Sequence, residues 1–227
     1  MSKKYKYVVV SGCSFSASDS SNLPKSGETY GDVVAEHFGA KFYNLVKSGG
    51  SLQRMNRKIL EWCGENKDKF KDTLVIVGLT SYRRIEVWNN KWDNWYSTSL
   101  FFQDPELDWN KILKVDWSEE ERKNYFINFY NDNAQITIDN NILIGLQSFL
   151  TLNSIDHIFF DALAPPNKEW NNLVSSENWY KHPEYEFMGD FTNKNPEMRA
   201  SKDDDHPNKK AHKYWAECLL EYIDEKV

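Results

Sequence analysis

Tyr7-Val8-Val9-Val10-Ser11-Gly12-Cys13-Ser14 is the stretch that decides the fold. An unbroken β-branched run that halts at a glycine is the pattern of a strand buried on both faces of a parallel sheet. A strand with one wet face would instead alternate apolar and polar residues. Three further segments fit strands: Lys41–Leu45, Thr73–Gly78 and His157–Asp161. Helical patterns lie between them over residues 30–38, 52–66 and 140–152. Strands alternating with helices imply βαβ units, hence a three-layer α/β/α sandwich around a central parallel sheet. A final helix starting near Asn208 carries Ala211, Tyr214, Trp215, Cys218, Leu219 and Ile223 at helical spacing and should pack on that sheet.

The 227 residues fit one domain, and a 40% hydrophobic content is enough for its core. One region breaks the alternation. Residues 88–133 are too long for a βα loop, hold many of the chain's nine Trp, and predict an insertion or lid on the sheet's rim. Within it, Trp88, Trp92 and Trp95 fall at helical spacing, which suits a buried apolar stripe; the functional alternative is an aromatic wall against a sugar or acyl group. Ser118-Glu119-Glu120-Glu121 has the form of a capping box opening another helix. Pro165–Lys202 is polar and irregular.

A formal charge of −6 argues against a general binder of nucleic acid or anionic membrane, though a local basic pocket stays open. Cys13, Cys63 and Cys218 are odd in number and widely spaced, which suits reduced thiols in a cytoplasm rather than disulfides or zinc. The first residues run directly into a strand without the apolar run and cleavage site of a signal peptide, and no stretch is apolar enough to span a bilayer. The expectation is a soluble cytoplasmic protein.

Ligands of open parallel sheets bind beyond the carboxyl ends of the strands. Three strands lead there into small residues: Gly12-Cys13-Ser14, Ser48-Gly49-Gly50-Ser51 and Gly78-Leu79-Thr80-Ser81. Any one of these is explained as a tight turn. Together with Asp203-Asp204-Asp205-His206-Pro207-Asn208 before the last helix, they suggest one site. A serine hydroxyl is a poor nucleophile until a base takes its proton, and histidine has the pKa for that work. The base needs an acceptor to fix its tautomer, for which Asp203 is the candidate, with Asp204 and Asp205 close in sequence. Cys13 or Ser16 as nucleophile, a metal loop at 203–206, and a plain solvated acidic loop are the competing readings. Arg83 or Arg84 can hold a carboxylate or phosphate of a substrate; otherwise they form a surface pair with Glu86.

These blocks resemble the SGNH (GDSL-type) hydrolase family. Gly12-Cys13-Ser14 matches its Gly-Asp-Ser block except at the middle residue. Asn44 to Gly49 matches Asn-x-Gly-x-x-Gly with Val46 at the first glycine, and Asp203 with His206 matches Asp-x-x-His. Gly78-Leu79-Thr80-Ser81 departs most from its block, Gly-x-Asn-Asp, because Thr80 stands where the family has its oxyanion-binding Asn. The resemblance implies a flavodoxin-like sandwich and an esterase or deacylase working through an acyl-serine, with Ser14, Asp203 and His206 catalytic. It places the oxyanion at the amides of Ser14 and Gly49 and at Thr80. It implies a small ester or acylated carbohydrate as substrate, with no cofactor and no metal; Arg83, Arg84 and Trp88 are candidates for substrate contact. The Thr80 departure leaves two other expectations: a weak or inactive domain that binds a glycan, nucleotide or protein, and an O-acyltransferase.

Overall fold

In a computed structural model, which describes residues 4–17, 27–89, 93–99, 119–163 and 175–225, the opening apolar run forms β1 (Tyr7–Gly12). The chain continues through α1 (Tyr30–Phe38), β2 (Lys41–Asn44), α2 (Leu52–Glu65), β3 (Thr73–Leu79), β4 (Arg84–Asn89) and β5 (Asn94–Ser99). Then come α3 (Glu119–Phe129), α4 (Asp132–Leu152), β6 (Asp156–Asp161), α5 (Met188–Lys194), β7 (Arg199–Ser201), β8 (Asp204–Pro207) and α6 (Lys209–Glu225).

The sheet has the order β2-β1-β3-β6, and every pairing in it is parallel. β3 is buried along its whole length, as expected of a strand covered on both faces. The chain leaves β1 toward β2 and then crosses back to β3 on the other side, so right-handed crossovers put α1 and α2 on opposite faces. α1 packs with α6, and α2 with α4. The direction of winding reverses between β1 and β3, and their carboxyl ends form the crevice where ligands of such sheets bind. This is the three-layer α/β/α sandwich expected from the strand pattern.

Local signals explain the helix bounds. Thr29 and Asp32 form a reciprocal capping box on α1, which stops at Gly39 with φ +56°. Asn208 caps α6, its Oδ1 accepting from Lys210 N and Ala211 N. α4 begins eight residues before the expected Asn140, because Asn131 caps it at Asn133 N and Ala134 N and its polar first turns mask the period. The irregular stretch 165–202 contains α5 and β7 in its described part.

The aromatic stripe requires correction. Trp88 and Trp95 lie on the antiparallel hairpin β4–β5, directly opposite each other, with ring centroids 5.4 Å apart and nearly perpendicular. The chain turns near Asp93, which has φ +47°, and cross-strand pairing replaces the helical stacking that the spacing suggested. Both rings are about half exposed, at 46% and 42%. Trp92, Phe101, Phe102, Trp109, Trp117 and Ser118 lie outside the described residues. Among those described, no helix is long and apolar enough to cross a membrane.

One core carboxyl carries a measurable cost. Asp139 on α4 has no solvent exposure; Gln135 Nε2 donates to its Oδ1 at 2.8 Å, and its Oδ2 has no partner. Burial pushes the group up to about 7, against the lowering effect of the Gln135 bond. A raised folded-state pKa means that the folded chain holds the proton more tightly than the unfolded one. Stability therefore falls as pH rises from about 4 to about 7. Asp139→Asn should flatten that slope and gain most over the natural chain above pH 7, as thermal unfolding at pH 5 and pH 7.5 will show.

Candidate active site

β1 ends at Gly12, and Ser14–Ser16 then form a single 3-10 turn, with Ser16 N donating to Cys13 O at 2.9 Å. Gly12 pairs in register with Gly78 of β3. A Cβ on Gly12 would lie 2.3 Å from Ser16 Oγ, and one on Gly78 would lie 2.6 Å from the same atom and 3.0 Å from Tyr30 Oη. Both glycines are therefore needed to let Ser16 lie across the two strand ends. There Tyr30 Oη donates to Ser16 Oγ at 2.8 Å, and the ring of Tyr30 stacks on His212. His212 Nδ1 accepts from Tyr30 N at the start of α1. Burial lowers His212 to about 3, so it stays neutral and serves as a support. Sequence reasoning missed this Ser16–Tyr30–His212 line; the glycines at equivalent strand ends were its only signal.

The loop after β2 docks on the same end. Lys47 N donates to Gly12 O at 3.2 Å, and Gly50 N donates to Lys47 O at 2.8 Å. Gly49 has φ +73°, which an L side chain rarely adopts. The turn's hydrogen bond uses Gly50 N–H and leaves that of Gly49 outside it. Beyond β3, Thr80 is buried and its Oγ1 has no hydrogen-bond partner. Ser14, Gly49 and Thr80 thus all lie at the carboxyl ends of β1, β2 and β3.

The Asp-x-x-His segment reaches this edge from the β7–β8 hairpin. β8 lies against the 14–16 turn, and the His206 ring packs on Phe15 with centroids 4.9 Å apart. His206 Nδ1 lies 2.5 Å from Asp204 Oδ1, and a carboxylate only accepts, so Nδ1 carries the proton and Nε2 is left as an acceptor. The partner is Asp204, which corrects the expected Asp203. Residues 204 and 206 share a face of an extended strand, whereas Asp203 is exposed in the preceding turn. Asp205 Oδ1 is 4.0 Å from the same nitrogen. Burial works to raise Asp204, but hydrogen bonds from the His206 ring and backbone N–H outweigh it and hold the carboxyl below its usual range. Ser14 is almost fully buried, and among the described residues its hydroxyl forms no hydrogen bond, with His206 or otherwise. Asp204, Asp205 and His206 could also offer ligand atoms to an ion, but their hydrogen bonding is that of an oriented imidazole.

Arg83 and Arg84 separate clearly. Arg83 lies over the Tyr82 ring and 3.8 Å from Asp132. Arg84 Nε and Nη1 are buried with no partner. Glu86 is committed elsewhere, because Arg57 donates to both of its carboxylate oxygens at 3.0 and 2.7 Å. Trp88 stands on the hairpin, two residues beyond Glu86.

No protein-family model and no curated protein matches the chain. Solved structures do. The chain is similar over 97% of its length, and of theirs over 97% and 99%, to the psychrotrophic esterase EstA from Pseudoalteromonas sp. inhibited by monoethylphosphonate (TM-score 0.53, 10% identity) and to TesA (0.56, 10%). It also covers 64% of the acetyl xylan esterase Est2A from Butyrivibrio proteoclasticus (0.50, 11%). At these identities the likeness speaks for the fold alone: the chain shares the α/β sandwich of these structures.

The glycine pair gives a direct test of this construction. Gly12→Ala and Gly78→Ala should each destabilise the protein by about 1–3 kcal/mol through overpacking. Gly64→Ala, in α2 with nothing within 4 Å of the added carbon, should be neutral or stabilising by up to about 1 kcal/mol. Urea unfolding midpoints measure the difference.

Proposed function

We propose that the chain is an SGNH-type serine ester hydrolase acting on a small ester or acylated sugar. The observation that carries this reading is the Asp204–His206 pair held against the turn that bears Ser14. The fold shared with esterases supports it.

In this mechanism Ser14 Oγ attacks the acyl carbonyl carbon while His206 Nε2 takes the hydroxyl proton. Asp204 keeps the ring in the required tautomer and steadies the imidazolium. The oxyanion accepts from the amides of Ser14 and Gly49 and from the hydroxyl of Thr80, whose proton has no competing acceptor. Collapse breaks the ester C–O bond, and the leaving alkoxide takes the proton from His206. Water then repeats the sequence on the acyl-serine and restores the hydroxyl. A threonine hydroxyl donates one hydrogen bond, from a shorter arm than the Asn it replaces, which suits a modest turnover.

A screen of p-nitrophenyl acetate, short acyl esters and acetylated sugars tests the proposal. Ser14→Ala and His206→Ala should abolish hydrolysis. Asp204→Ala should reduce kcat by about 100- to 10,000-fold and Asp203→Ala by less than about threefold, as its place in the turn implies. Thr80→Val should cost about 100- to 1,000-fold. Equal losses in the two Asp variants would overturn the assignment of Asp204. The unbonded Ser14 hydroxyl favours a second reading, a binding domain without turnover, and well-folded protein inert toward every ester would select it.

A further inference from the structure

Arg84 is partly buried, and two of its three guanidinium nitrogens, Nε and Nη1, are buried without a hydrogen-bond partner; among the described residues no carboxylate pairs with it. Guanidinium N–H groups taken out of water without an acceptor are costly, and such donors in folded proteins are normally bonded. Two acidic groups of the neighbourhood are occupied, Glu86 bidentately by Arg57 and Asp132 by Arg83 at 3.8 Å. Strand alternation puts Arg84 on the face of β4 that carries Glu86, and Glu86 meets α2 through Arg57. One helical turn before Arg57, α2 carries Gln53, whose Oε1 is also buried without a partner. β4 and α2 both start from the carboxyl edge of the sheet, so Arg84 and Gln53 occupy the ends of these elements that lie toward the Ser14 crevice. A single turn, closed by Arg84 N donating to Ser81 O at 3.0 Å, separates Arg84 from the unpartnered hydroxyl of Thr80.

We propose that Arg84 is the anion-binding residue of the crevice and that the substrate carries a carboxylate or phosphate group. This deepens the hydrolase reading and rests on it for the word substrate, while the anion site is a property of the folded chain. The guanidinium supplies charge-assisted donors, and Gln53 adds a carboxamide whose oxygen can accept from a hydroxyl next to the anion. Arg83, lying over Tyr82 beside Asp132, takes no part in the site.

The test is binding of succinate and of inorganic phosphate to the full chain, followed by calorimetry in the Ser14→Ala background so that turnover does not enter. Saturable binding of either anion, weakened at least tenfold by Arg84→Gln and unchanged by Arg83→Gln, is the expected result, and the tighter of the two identifies the group. Arg84→Lys should recover part of the affinity, which a merely structural loss would not allow. Absence of saturable binding, or equal binding in Arg84→Gln, overturns the proposal. Because Ser14 is already removed, failure here leaves the esterase reading intact. Conversely, an esterase screen that fails while Arg84-dependent binding persists removes only the catalytic reading.

Discussion

The carboxyl ends of β1 and β3 approach each other through Gly12 and Gly78, and the space that a side chain would fill is taken by Ser16 and Tyr30. The candidate site depends on this contact. Ser16 fixed beneath the turn sets where Ser14 begins it, and Tyr30 ties the turn to the first residue of α1. His212 then anchors that residue to α6, the helix that follows the His206 strand. Two segments nearly two hundred residues apart are thus joined through a buried polar line as well as through the sheet. A serine placed this way owes its position to packing, which fixes geometry better than a free loop does.

The electrostatics of the site follow from extension and burial. β8 is extended, so Asp204 and His206 share a face and the imidazole is oriented by its near neighbour. His212, unlike the partly exposed His206, is fully buried, and desolvation holds it neutral. Of the two, only His206 has an oriented ring nitrogen left free for a proton. Beyond the carboxyl ends of the sheet, Thr80, Arg84 and Gln53 keep buried polar atoms unpartnered. Such atoms are costly in a folded chain and are explained when a ligand completes them.

Much of this was legible in the sequence, and the rest was hidden for physical reasons. β1 and β3 were readable because strands covered on both faces leave continuous apolar runs, whereas the edge strand β2, Lys41-Phe42-Tyr43-Asn44, is exposed at both ends and gave the weaker pattern. The placement of Ser14, Gly49 and Thr80 beyond the strand ends was legible from those runs, while the roles proposed for them and for His206 came from the resemblance. The choice between Asp203 and Asp204 was not readable. It depends on β8 being paired with β7, a tertiary fact that turns an i,i+3 spacing into an i,i+2 contact. The tryptophans at 88 and 95 misled because their spacing suits a helix, whereas the pairing of β4 with β5, with Asp93 left-handed before β5, makes a hairpin. Arg83 and Arg84 were indistinguishable as letters; Asp132, far along the chain, separates them.

The central claim is that Ser14 is a nucleophile activated by His206. Incubation of the folded protein with a fluorophosphonate, followed by intact and peptide mass spectrometry, tests it most directly. The account predicts one adduct per chain, located on Ser14, absent in Ser14→Ala and formed far more slowly in His206→Ala. An adduct on Cys13 or Ser16, or well-folded protein that remains unlabelled, would contradict it.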